Sequence, residues 1–132
     1  GELSLKSEEP EVVSSICAVL AETDVINMVS RGIKTEDILR GIHQSMAVRF
    51  AKLLRAVKAQ DVVMLTGGLG GDVGLHHSLR EALAKSTKSA DIEVRFDERG
   101  MFAGAIGAAL WGGFRHRVLL ERSSGDNRRM VG

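Results

Sequence analysis

The stretch Val62-Val-Met-Leu-Thr-Gly-Gly-Leu-Gly-Gly-Asp-Val-Gly-Leu75 decides the fold. Four apolar residues, Val62 to Leu65, run into a loop holding Gly67, Gly68, Gly70 and Gly71. Beyond the loop the spacing becomes helical, with Leu75, Leu79, Ala82 and Leu83 on one face. A short apolar run that ends in glycines and opens a helix predicts a buried parallel strand, a tight turn and a crossover helix. Ligands of open α/β sheets bind at the carboxyl ends of the strands, so this loop is the first place to look for a nucleotide. It lacks the Gly-Lys-Ser/Thr of a phosphate-binding P-loop and the spacing of a dinucleotide fingerprint.

The chain of 132 residues is long enough for one domain with one core. A formal net charge of +1 gives no electrostatic case for nucleic acid or a membrane surface. Aromatics are 4% with no Tyr, which argues against a base-stacking surface. The longest apolar run, Met101 to Phe114, is far short of the roughly 20 residues of a bilayer span. No signal peptide opens the chain, and the one cysteine, Cys17, excludes an internal disulfide. The expectation is a cytoplasmic protein, and a piece of a longer one.

Outward from the glycine loop, Gly1 to Glu11 is polar, holds the only proline, and is expected to be a poorly ordered leader. Glu22, Asp24 and the Arg31-Gly32 pair predict a helix from about Ala21 to Arg31, stopped by Gly32, with the acids as first-turn dipole partners. Cys17 then falls just before that helix or in its first turn. Thr35 is the expected cap of a second helix, whose apolar positions are Ile38, Ile42, Met46, Phe50, Leu53, Leu54 and Val57. Arg40, Gln44, Arg49, Lys52 and Arg55 fall on its other face and are expected to be solvated. Lys85 to Ala90 is a polar connection. Ile92 to Phe96 alternates as a half-exposed strand, and Asp97 to Gly100 is a turn. Phe102 to Phe114 predicts a helix whose Gly104 and Gly107 press against a sheet or a ligand, since interior glycine costs about 1 kcal/mol. From Arg115 onward the chain is polar and Arg-rich, and a poorly ordered, frayed tail is expected over 116–132. The order is helix, helix, strand, helix, strand, helix. Two strands alone do not make a stable sheet with both faces covered, so further strands must come from another copy of the chain or from upstream.

Four segments then carry a resemblance: Ser15-Ile-Cys-Ala-Val-Leu-Ala-Glu-Thr-Asp-Val-Ile-Asn-Met-Val-Ser-Arg-Gly32, Ile38-Leu-Arg-Gly-Ile-His43, Leu65-Thr-Gly-Gly68 and Ala103-Gly-Ala-Ile-Gly-Ala-Ala-Leu110. In that order they resemble the carboxy-terminal half of the ATPase and activator family of benzoyl-CoA reductase and 2-hydroxyacyl-CoA dehydratase. Within it, the wording is most similar to ATP-binding subunits of benzoyl-CoA reductase. The resemblance covers Val12 to Phe114. It implies an α/β, partial ribonuclease-H-like lobe of the actin, heat-shock chaperone and sugar kinase type, which binds ATP/ADP with Mg2+ between two lobes. It implies ATP hydrolysis coupled to low-potential electron transfer, with a 4Fe-4S cluster shared between two subunits that give two cysteines each. Cys17 matches the second of those cysteines, and Gly67 and Gly68 match the glycine pair that approaches the adenosine. Gly104 and Gly107 would line the late helix near that loop. The other cysteine, the phosphate loops and the catalytic acid of the family have no counterpart in these residues, so no catalytic residue is assigned.

The implied partners are other reductase subunits, ferredoxin as electron donor, and a homologous ATPase subunit or a second copy, with no nucleic acid or membrane. The rival expectations are the activator of a 2-hydroxyacyl-CoA dehydratase, a cluster-free nucleotide-binding domain, and a non-enzymatic fragment that assembles as a homodimer. Two departures from the family pattern are Leu69-Gly70-Gly71-Asp72 after the glycine pair and Asp97-Glu-Arg-Gly-Met101 before the late helix. Adjacent His76 and His77 point about 100° apart on a helix and cannot chelate together, so a surface pair is expected. Asp72 is the expected cap of the following helix.

Overall fold

The structure, a computed structural model, describes residues 1–14, 17–85 and 91–129, without side-chain detail at Ala18 and 123–129. A 3-10 turn at Leu3–Lys6 is followed by α1 (Ala18–Ser30), α2 (Thr35–Ala56), β1 (Val62–Leu65), α3 (Val73–Ala84) and β2 (Glu93–Phe96). A second 3-10 turn, Glu98–Phe102, leads into α4 (Ala103–Arg129). The expected order of elements is the observed one. The connection expected at Lys85 to Ala90 lies, beyond Lys85, outside the described residues.

β1 and β2 pair in parallel, with Val62 opposite Glu93, Val63 opposite Val94, Met64 opposite Arg95 and Leu65 opposite Phe96. Alternation puts Val63, Leu65, Val94 and Phe96 on one face. Val63, Leu65 and Val94 pack with Ala47 and Ala51 of α2 and Leu79, Ala82 and Leu83 of α3 to form the main core. Small alanines on α2 let the two helices approach closely. Gly74 of α3 serves the same end, since a Cβ there would strike Ser4 and the His43 ring. The opposite sheet face is open: Val62 is 41% and Met64 48% exposed. The strand expected to be buried is therefore covered on one face only, because among the described residues helices lie on one side of this two-stranded sheet.

α1 starts at Ala18, three residues earlier than expected, because the Cys17 Sγ accepts from the Leu20 amide and caps it. Glu22 and Asp24 consequently lie beyond the first turn, and Asp24 instead accepts from the Ser14 amide at 2.8 Å. The far end of α1 closes as the glycine stop predicts. Gly32 has φ +76°, its amide bonds the Val29 carbonyl, and the Ile33 amide reaches back to the Met28 carbonyl, both at 3.0 Å. Ile33 packs against Met28 in a second small cluster with Val13 and Ile38. α2 ends by the same bonding pattern, but with Lys58 at φ +54° in the left-handed position. Its amino end is set by Lys34, not Thr35, and no side chain bonds there.

Three further expectations are corrected. The leader is docked: Ser4 is buried, and Asp37 accepts from the Ser7 hydroxyl at 2.6 Å and the Glu9 amide at 3.2 Å. The Ser7 bond, foremost, holds the Asp37 carboxyl below its usual range. Arg40 does not face solvent; it is 9% exposed and paired with Glu81 of α3 at 2.7 Å. The tail expected to fray over 116–132 is helical as far as Arg129, where α4 ends, and 130–132 lie outside the described residues. Gly32→Ala places a Cβ in the left-handed region and is expected to destabilise the protein by about 1–2 kcal/mol. Lys58→Gly removes the same strain and is expected to raise stability. Urea denaturation of both variants checks the contrast.

Candidate functional site

The loop between β1 and α3 sits at the carboxyl end of β1. Gly67 takes φ +83°, a conformation that suits glycine. Its amide donates to the Gly100 carbonyl at 3.0 Å, tying the loop to the turn that precedes α4. The Gly70 amide closes onto the Gly67 carbonyl at 2.9 Å, and the Asp72 amide onto the Leu69 carbonyl at 3.1 Å. Asp72 caps α3 as expected, accepting from the Leu75 amide at 2.8 Å. Gly68 faces open space, with nothing within 4 Å of where a Cβ would stand. Beside it lies a cleft of about 340 Å³ walled by Met46, Phe50, Leu65, Leu69 and Leu75, with Thr66 also on its lining. Apolar walls with one stretch of bare backbone suit a flat heterocycle more than a phosphate.

Gly70 and Gly71 have a role that the sequence reading missed. A Cβ at Gly70 would stand 2.9 Å from the Phe96 ring, and at Gly71 3.0 Å. The alternation of Ile92 to Phe96 puts Phe96 on the covered face; that it lies under the glycines could not be read from spacing alone. His76 is no plain surface residue either. Its Nε2 donates to the Gly70 carbonyl at 2.6 Å, and its ring meets Phe96 edge-on at 6.4 Å between centroids. His77 is exposed, with Glu81 at 3.3 Å. The two histidines therefore serve different neighbours, in keeping with the argument against joint chelation.

Cys17 is exposed at the amino end of α1, beside a groove of about 280 Å³ lined also by Val13, Ala21, Ile42 and Met46. Met46 is common to this groove and the glycine cleft. Among the described residues no group of three or more His, Cys, Asp and Glu could hold a metal ion. The chemistry available here is one solvent-facing thiol. Gly104 and Gly107 stand on α4 with nothing within 4 Å of a Cβ at either. Of the two neighbours expected, a sheet or a ligand, no sheet lies against them among the described residues, because α4 leaves the body after the Glu98–Phe102 turn with Ile106, Leu110, Trp111 and Phe114 all exposed.

Ser4, His43 and Asp72 have the look of a hydrolase triad, with Ser4 Oγ 2.9 Å from His43 Nδ1 and His43 Nε2 3.5 Å from Asp72 Oδ1. Ser4 is buried and its hydroxyl donates to the Gly1 carbonyl at 2.7 Å, so its proton and its access to substrate are both taken. Oγ then accepts from a Nδ1-protonated imidazole. Ser4 and His43 thus fasten the leader to α2, while Asp72 at the start of α3 pairs with the other ring nitrogen only when the ring is protonated. Burial lowers the His43 pKa from its ordinary 6.5, against the opposing pull of Asp72. The folded state thus binds the His43 proton less readily than the unfolded chain, so stability is lost as pH falls below about 6.5. His43→Gln is expected to flatten the stability profile between pH 7 and 5, read by urea denaturation, while the loss from the lowered Asp37 and Asp72 carboxyls begins only near their ordinary 3.8.

Solved structures with this arrangement are ATPase activators of dehydratases. Component A of (R)-2-hydroxyglutaryl-CoA dehydratase from Acidaminococcus fermentans superposes with a TM-score of 0.68 at 35% identity, over 83% of this chain and 40% of that one. The activator of 2-hydroxyisocaproyl-CoA dehydratase from Clostridium difficile, solved with bound ADPNP, gives 0.66 at 29% identity over 92% and 43%. The α/β lobe of the actin-like ATPase activators is therefore the fold of this chain. Residues 1–112 match the model of the BadF/BadG/BcrA/BcrD ATPase family, and the chain belongs to that family. A benzoyl-CoA reductase subunit from Thauera aromatica is 58% identical over 120 residues, 90% of this chain and 42% of that protein. The activating ATPase of (R)-2-hydroxyglutaryl-CoA dehydratase from A. fermentans is 36% identical over 110 residues. The chain spans about two fifths of the length of these relatives. No described helix is long and apolar enough to cross a membrane.

Proposed function

We propose that this chain is the adenosine-binding part of an ATP-dependent electron-activating subunit of a benzoyl-CoA reductase complex. The observation that carries the choice of complex is the 58% identity to a benzoyl-CoA reductase subunit, against 36% to a dehydratase activator. The local geometry supports the nucleotide half of the reading. Gly68 offers bare backbone beside an apolar cleft, and Met46, Phe50 and Leu75 give that cleft the flat lining an adenine needs. Phosphate and Mg2+ contacts have no candidates in this loop and would come from elsewhere in the full-length protein. Gly104 and Gly107, on the helix that follows the turn bonded to Gly67, would border the same nucleotide from the other side once the second lobe is in place.

Cys17 supports the redox half. Its Sγ is exposed and accepts from the Leu20 amide, so the sulfur stands open to a ligand arriving from outside the chain. A 4Fe-4S cluster takes four cysteine thiolates, so one thiol fits only a shared cluster completed by other cysteines. When bound, such a cluster supplies one-electron transfer at low potential. The chain's own part is to present the thiol at the start of α1. It also packs α1 and α2 around a groove that shares Met46 with the nucleotide cleft. Reductase subunits, a second ATPase subunit or copy, and a ferredoxin-type donor complete the proposed cytoplasmic assembly.

In the full-length protein purified without oxygen, Cys17→Ser is expected to lose most of its iron and acid-labile sulfide and its ATP-driven electron transfer, while ADP affinity stays at the wild-type value. A Cys17→Ser protein with a full iron complement would sink the cluster assignment.

A further inference from the structure

We propose that His76 is the positioning residue of the glycine loop. It holds the Gly70 carbonyl turned inward, so that Gly68 stays bare toward the cleft. This rests on the reading of Gly67 and Gly68 as adenosine contacts. A seven-residue loop, Thr66 to Asp72, with four glycines has a large conformational entropy to lose, and needs fixed partners if it is to be preorganised. The backbone bonds from the Gly67, Gly70 and Asp72 amides tie donors within the loop, but leave the Gly70 carbonyl to a side chain. His76, one turn into α3, reaches back and donates to that carbonyl at 2.6 Å.

The anchor is itself held. Leu75 and Leu79, on either side of His76 along α3, are buried in the body of the protein, so the helix cannot follow a moving loop. Phe96 supplies the opposite wall. It fills the space that side chains at Gly70 and Gly71 would need, and it meets the His76 ring edge-on at an interplanar angle of 78°. The loop's second half is thus gripped between an imidazole donor and an aromatic ring, and its first half is tied to Gly100. Gly67 and Gly68, the pair matched to nucleotide, both have open space where a Cβ would stand, and Gly68 lies between those two attachments. A half-buried histidine that merely satisfies itself would not account for the two glycines closed down on the ring it touches.

The requirement is for an N–H donor at this position, so His76→Gln preserves the anchor in part and His76→Leu abolishes it. Amide hydrogen exchange is read first, on the nucleotide-free full-length protein. His76→Leu is expected to speed exchange at Gly70 and Asp72 roughly tenfold while leaving the core of α3 at Leu79 and Leu83 protected. ADP binding by calorimetry is then expected to weaken roughly fivefold in His76→Leu and less in His76→Gln, in proportion to one lost hydrogen bond. Phe96→Leu, which keeps the donor and removes the wall, gives the same loosening if His76→Leu fails to fold. Unchanged exchange at Gly70 and Asp72 in these variants overturns the anchor, whatever the nucleotide does. A loosened loop with wild-type ADP affinity overturns instead the placement of adenosine at Gly67 and Gly68, and the functional role of His76 with it.

Discussion

The contact between α2 and α3 is the constraint on which the other features depend. Ala47 and Ala51 on one helix and Leu79 and Leu83 on the other are buried almost completely. A leucine truncation in such a contact costs about 2–5 kcal/mol, a large share of the stability of any small domain. The same contact fixes the orientation of α3, and with it Asp72 at the helix start and His76 one turn on. The glycine loop is strung between a strand end and that helix start. Its shape follows from how α3 is seated, and α3 is seated by alanines on α2.

Polar groups at this interface reinforce the seating. Arg40 crosses from α2 to Glu81 of α3, and Ser4 and His43 fasten the leader to α2. Glu81 is partly exposed, so the ion pair adds little by itself. Its effect is to keep the buried guanidinium partnered, since an unpaired buried charge is costly. Apolar surface, by contrast, is left uncovered on the Val62 and Met64 face of the sheet, along Ile106, Leu110, Trp111 and Phe114 of α4, and at Val19, Ile26 and Val29 of α1, among other positions.

Much of this was legible in the sequence, and the reasons differ by residue. Val62 to Leu75 could be read because strand, glycine turn and helix each leave a local signature, and the Asp72 cap and Gly32 stop are equally local. Cys17 fell at the helix start from the bounds of the α1 segment, and its capping role follows from position. What could not be read depends on contacts far apart in sequence. Arg40 carries the pattern of a solvated base until Glu81, forty-one positions away, is found beside it. Ser4 and His43 are thirty-nine positions apart, and Phe96 is brought beneath Gly70 only by the parallel register of β1 and β2. Gly104 and Gly107 differ again: small residues imply a close neighbour, and the described chain supplies none.

The central claim is that the apolar cleft beside Gly68 receives the adenine of ATP. Photolabelling of the full-length protein with 8-azido-ATP, followed by peptide mapping, tests it most directly. Adenine in this cleft predicts label, competed by ATP, on peptides holding Met46 to Phe50 or Leu65 to Leu75. Competed label confined to peptides outside these two segments would contradict it.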